Sequence, residues 1–176
     1  MHPRIDELFA GLERDRAVLM AAVEVVPLPL RDQRLVPDRW SAAEILEHLW
    51  IVETGVARLL TTKIAQGRAA GLVEEGDASP LPQSKRLAMI RERAERLAAP
   101  DRVVPRTGLT FADAWTALAR SREALRTAAL TGDGLALGTI THPHPFAGPF
   151  NLYQWIAFVG AHEVRHATQI REIAGV

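Results

Sequence analysis

The sequence predicts an all-α fold, a four-helix bundle, and three observations carry that prediction. Four segments of about 20 residues repeat apolar side chains at helical spacing, enough to bury a shared core. Helix caps and breakers fall at the ends of these segments. No stretch alternates apolar and polar residues as a half-buried strand would.

Residues 4 to 25 open the chain with Ile5, Leu8, Phe9, Leu12, Leu19, Ala22 and Val23 at helical period, and Pro27 and Pro29 end that helix. An extended connector then runs to Arg39 and Trp40. Ser41-Ala42-Ala43-Glu44 reads as a capping box, in which the serine hydroxyl and the glutamate carboxylate take up free amides at a helix start. Behind it Ile45, Leu49, Val52, Val56 and Leu59 form one stripe, and the helix is expected to run to about Gln66. Gly67, Gly71, Gly76, Pro80 and Pro82 mark a long loop. Residues 84 to 98 are a highly charged helical stretch closed by Pro100, either a solvent-facing accessory helix or an extension of its neighbour. Thr110 can cap the next helix, with Phe111, Trp115, Leu118, Ala119, Arg122 and Leu125 at helical spacing, ending near Thr131-Gly132-Asp133-Gly134. Residues 132 to 150, rich in glycine, proline and histidine, are expected to form an irregular loop. Asn151 caps the last helix, and Gly175 stops it. The connector from residue 67 to 109 is long enough to cross the bundle, so a simple alternating order of helices does not follow.

The 176 residues are expected to form a single domain, 1–176. At 48% hydrophobic and 24% charged, with 21 basic and 21 acidic side chains, the composition gives no reason to expect nucleic acid or an anionic membrane surface as partner. No apolar run approaches the ~20 residues that span a bilayer. The charged start, Met1-His2-Pro3-Arg4-Ile5-Asp6-Glu7, lacks the apolar core of a secretory signal, so the expected location is cytoplasmic. The absence of cysteine excludes disulfides, thiolate ligands and a cysteine nucleophile.

The histidines carry the chemistry. At 100° per residue, Trp155, Val159, His162, His166, Ile170 and Ile173 fall within a sector of roughly 80°. Both histidines therefore sit in mid-stripe, about 6 Å apart, where they can share one metal ion. On the second helix His48 lies beside Ile45 and Val52, at the edge of its stripe. Facing helices can bring the three imidazoles together; equally, each can be a hydrogen-bonded core residue. His162-Glu163-Val164-Arg165-His166 also fits the HExxH pattern of zinc metalloproteases, but only ten residues follow His166 to supply the usual downstream ligand. Glu163 points away from the two histidines around the helix, and is either a base beside the metal or a partly exposed carboxylate. Arg122 and Arg165 can bind a substrate carboxylate or lie on the surface. His142 and His144 can cover a pocket mouth or serve only the turn. Trp40, Trp50, Trp115 and Trp155 can line a pocket or pack the core. Gln169 can support a neighbouring helix or ligand.

These motifs resemble the DinB / YfiT-like superfamily of metal-dependent enzymes. Trp40-Ser41-Ala42-Ala43-Glu44-Ile45-Leu46-Glu47-His48-Leu49 resembles its second-helix motif, and His162-Glu163-Val164-Arg165-His166-Ala167-Thr168-Gln169-Ile170 resembles its last-helix motif. His142-Pro143 and Phe146-Ala147-Gly148 resemble its loop elements. The resemblance implies an up-down-down-up bundle, often a homodimer, with a divalent ion on His48, His162 and His166. Nickel or zinc is the first expectation for that ion, with iron or manganese as alternatives. It also implies a small-molecule substrate and either thiol-dependent S-transfer, using a low-molecular-weight thiol, or hydrolysis. A non-catalytic bundle, in which metal or buried histidines serve stability or a dimer contact, is the alternative.

Overall fold

The chain's structure is a computed structural model that describes residues 1–93 and 98–175. Among the described residues five α-helices follow in order: α1 (Pro3–Glu24), α2 (Ala42–Ala69), α3 (Lys85–Glu92), α4 (Phe111–Leu130) and α5 (Leu152–Ala174). Both capping boxes form. Ser41 Oγ accepts from the Glu44 amide and the Glu44 carboxylate accepts from the Ser41 amide, while Asn151 and Gln154 make the same exchange at the start of α5. Gly175, at φ 78°, takes the left-handed conformation that stops α5.

Contacts along the helices set their directions. Arg4, near the start of α1, lies 5.8 Å from the ring of Tyr153 near the start of α5, and farther along Arg16 meets Glu163. Glu53 of α2 meets Ser121 of α4, and Arg68 near the end of α2 donates to the Thr131 carbonyl at the end of α4. The His2 amide at the start of α1 donates to Asp133 just past the end of α4. So α1 and α5 run one way, and α2 and α4 run the other. Two parallel neighbours need a connection that travels the length of the bundle, which is why some forty residues separate α2 from α4.

That crossover carries α3, a separate accessory helix with no buried residue. It is tied down by Arg91, which donates to Asp15 at 2.8 Å, and by Arg86, which donates to the Pro149 carbonyl at 3.0 Å. The charged stretch expected over 84 to 98 is helical only to Glu92; Arg93 turns left-handed, and residues 94–97 lie outside the described part. Helix α2, by contrast, runs past Gly67 to Ala69. A side chain on Gly67 would press on Ile140 and Leu72, so that glycine makes room for packing rather than marking a turn.

The loop expected at 132 to 150 is not irregular. It holds a 3-10 turn at Leu137–Thr139 and a hairpin of β1 (Thr141–His144) and β2 (Gly148–Asn151), which makes all-α an approximation. Pro143 stands directly opposite Pro149. Two prolines facing each other need no ladder hydrogen bonds at that rung, so a two-stranded ribbon accepts them where a central strand would not.

The core falls into two apolar halves. One gathers Ile5, Phe9, Leu60, Leu125 and Ile156, and the other Leu19, Ile45, Leu118, Ala167 and Ile170. A charged layer lies between them, with one residue from each long helix: Arg16, Glu53, Arg122 and Glu163. Arg122 Nε donates to Glu53 at 2.6 Å and its Nη2 to Glu163 at 3.0 Å, while Arg16 Nε donates to Glu163 at 2.7 Å. Both carboxylates are 1% exposed and Arg122 is 5% exposed. Neither a surface position for Arg122 nor a partly exposed one for Glu163 is therefore correct. On the neighbouring turn Gly160 is required, because a β-carbon there would collide with the Asp15 carboxylate.

Candidate metal centre

The last turns of α5 and the first turns of α2 face each other, and this brings the three histidines together. His48 Nε2 lies 3.4 Å from His162 Nε2, which lies 3.1 Å from His166 Nε2. Donor atoms of all three fall within 4.8 Å of one another. Nitrogens about 2.1 Å from a shared ion stand roughly 3.0 Å apart at right angles and about 3.4 Å at the tetrahedral angle. The two short separations match that range.

The outer ring nitrogens decide what the inner ones can do. His48 Nδ1 lies 2.7 Å from the Val103 carbonyl, which only accepts, so Nδ1 carries the proton and Nε2 presents a lone pair. His166 Nδ1 donates to Gln169 Oε1 at 2.8 Å, leaving its Nε2 bare as well. At most one proton, on His162, can then serve three converging nitrogens. No arrangement of neutral imidazoles satisfies all of them, whereas a divalent cation does. Burial holds all three imidazoles below their ordinary range, and the neighbouring rings add to this for His162 and His166. The neutral form is the one that ligates.

Val103 belongs to a 3-10 turn, Asp101–Val103, in the crossover. The buried Glu47 carboxylate fixes that turn by accepting from the amides of Arg106 at 2.7 Å and Thr107 at 2.8 Å. Glu47 and Val103 went unrecognised in the sequence, because a backbone carbonyl some fifty residues from His48 leaves no motif. Gln169 was legible through the resemblance, whose last-helix motif places a glutamine after the paired histidines. Replacing Gln169 with alanine is expected to lower divalent-metal affinity about 10- to 100-fold, as loss of a ligand's hydrogen-bond partner generally does. Competition against a chromogenic chelator measures it.

A cavity of about 1350 Å³ opens over the histidines, lined by Trp40, Trp50 and Trp155 and by the hairpin. Trp115 is elsewhere, stacked on Phe111. His142 and His144 both line the cavity, but they differ in setting. The His142 carbonyl accepts from Trp155 Nε1 at 3.2 Å. His144 packs among Phe150, Trp155 and Phe158, and the Phe158 ring stacks on His162. The amides of Phe146 and Ala147 donate to His144 Nδ1 at 3.3 and 3.2 Å, so its neutral ring carries the proton on Nε2. Burial, aided by the charge of Arg102, brings the His144 pKa down to about 4.

The sign for stability follows. Between pH 6.5 and about 4 the unfolded chain binds a proton at His144 that the folded chain refuses, so this contribution is complete above pH 6.5 and falls away as pH drops toward 4. Urea midpoints measured at pH 7.5 and 5.0 are expected to separate less in His144→Asn, whose amide oxygen can accept the same backbone donors without titrating.

Glu163 turns away from the histidines into the charged layer and is paired with Arg16 and Arg122, so it is no base for this centre. The HExxH spacing is present without the protease arrangement.

The sequence model of the DinB superfamily matches residues 11–170. The chain belongs to that superfamily. Among similar proteins of the DinB superfamily is the uncharacterized protein YuaE of Bacillus subtilis (strain 168), 24% identical over 145 residues, which cover 81% of this chain and 82% of YuaE. The crystal structure of TT2238, a four-helix bundle protein, superposes with a TM-score of 0.57 at 20% identity, covering 96% of this chain and 98% of that one. That likeness speaks to the fold. None of the described helices is long and apolar enough to cross a membrane.

Proposed function

We propose that this DinB-superfamily protein is a metal-dependent enzyme acting on a small molecule, with His48, His162 and His166 holding a divalent ion, nickel or zinc first. The observation that carries the proposal is the convergence of three Nε2 atoms, short of protons, beneath a large open cavity. A purely structural centre is usually closed off by its ligands, whereas a catalytic one keeps a position open. When bound, the ion supplies Lewis acidity toward an oxygen or sulfur nucleophile.

Between hydrolysis and thiol transfer, the surroundings favour transfer. Activating water in a hydrolase is commonly shared with a carboxylate base. Here Glu163 is occupied elsewhere, and among the described cavity-lining residues the one carboxylate is the exposed Asp38. A thiol ionises more readily than water and needs less help. With no cysteine in the chain, the thiol comes from outside. Val103 and Gln169 hold the ligand rings in register, Phe158 and Trp155 shield one wall from water, and His144 Nε2–H offers a neutral donor.

The test is a turnover assay on protein loaded with nickel or zinc, using cysteine, glutathione and bacillithiol with an aryl halide acceptor, beside nitrophenyl esters. Expected is thiol-dependent turnover that vanishes in His48→Ala. Fully loaded protein that turns over neither thiols nor esters would reduce the centre to a non-catalytic metal site.

A further inference from the structure

We infer that the cavity over the histidines takes an anionic ligand, a small organic molecule bearing a carboxylate or phosphate group on an apolar body. The inference deepens the proposed function and rests on it only for where the reacting group sits.

Six arginines line the cavity, Arg39, Arg58, Arg86, Arg93, Arg102 and Arg165, against one carboxylate, Asp38, among the described residues. The chain as a whole has equal numbers of acidic and basic side chains, so this is a local concentration. The six come from α2, α3, α5 and the connecting segments, and meet only in the folded molecule. Some are engaged. Arg39 and Arg93 share Glu172, at 3.5 and 3.2 Å, and Arg86 holds the Pro149 carbonyl. The guanidinium groups of Arg58 and Arg102 make no hydrogen bond or ion pair with any described residue. Arg102 directly precedes Val103, whose carbonyl orients His48, so the turn that builds the metal centre also delivers a cation beside it.

Like charges gathered around one cavity repel, and apolar walls strengthen the field between them. Trp50, Phe146 and Trp155 supply such walls. An anion relieves the repulsion, and the guanidinium fork fits the paired oxygens of a carboxylate or phosphate. The aromatic surface beside the arginines calls for a ligand with an apolar body rather than a bare inorganic ion.

Phenyl phosphate and its neutral counterpart benzyl alcohol test this by calorimetric titration into metal-loaded protein, Arg58→Ala, Arg102→Ala, the double arginine variant and His162→Ala/His166→Ala, with metal content measured in each. Expected is at least tenfold tighter binding of phenyl phosphate, weakened by added salt. Each single arginine change should weaken it several-fold and the double change at least tenfold, with metal content and benzyl alcohol binding unchanged. Equal affinity for the two probes would overturn the inference. So would affinity that disappears with the histidines yet ignores both arginines, since the anion would then sit on the metal centre itself. Arginine-dependent binding in a protein that holds no metal would sustain the anion site while removing the metal-enzyme reading.

Discussion

Replacing both His162 and His166 with alanine is expected to yield folded protein that carries no divalent metal, while the parent carries close to one ion per chain. Plasma mass spectrometry of untagged protein from rich medium checks this. The expected loss of affinity is on the order of 1,000-fold or more, beyond the 10- to 100-fold typical of removing an outer hydrogen-bond partner. Folding should survive, because the packing of α5 is carried by Tyr153, Ile156, Val159, Ile170 and Ile173. The change also removes the crowding of two imidazoles against His48, so the metal-free variant should melt no lower than the metal-free parent by more than a few degrees. A parent that is metal-free as purified and takes up neither Zn²⁺ nor Ni²⁺ on titration would show that the three lone pairs are met in another way.

The second large effect concerns the charged layer. Arg122→Met leaves Glu53 and Glu163 facing one another in the core with only Arg16 to balance them, and Arg16 reaches Glu53 at 3.3 Å. Breaking a buried ion pair by removing one partner costs about 3–5 kcal/mol. For a chain of this size that corresponds to a fall in melting temperature of roughly 10 °C. Replacing Arg16, Glu53, Arg122 and Glu163 together by apolar residues of similar volume should recover most of the loss, because no charge is then stranded. Urea denaturation of the two variants measures both effects. A loss below 1 kcal/mol in Arg122→Met would mean that water reaches the layer and solvates it. Metal content should not change, since no member of the layer touches the histidines' ring nitrogens.

The layer also marks where reading the chain fails. A charged residue inside a helical pattern belongs on the surface by default, and although Arg122 shares the spacing of Leu118 and Leu125, that spacing does not say what pairs its charge. The burial of Arg122 and Glu163 depends on having partners on other helices, and no local spacing records that. The hairpin was missed for a related reason. Pro143 and Pro149 argue against strands one at a time, and only their pairing across one rung makes the ribbon acceptable. His162 and His166 were legible because a single helix places them on one face, His48 was only weakly tied to them by its place at the edge of another helix's stripe, and Gln169 entered through the resemblance of the last-helix motif.

Local physics thus settled the four long helices, their caps and the i, i+4 histidine pair, since each depends on neighbours within about one turn of helix. Tertiary structure alone decided the rest. The parallel pairing of α2 with α4 sends the crossover along the bundle, and Glu47 pins it so that the Val103 carbonyl sets the His48 tautomer. The same folding gathers arginines from distant segments around one cavity. A ring's free lone pair and a cavity's charge depend on which groups meet in space, and groups that meet in space need share no pattern along the chain.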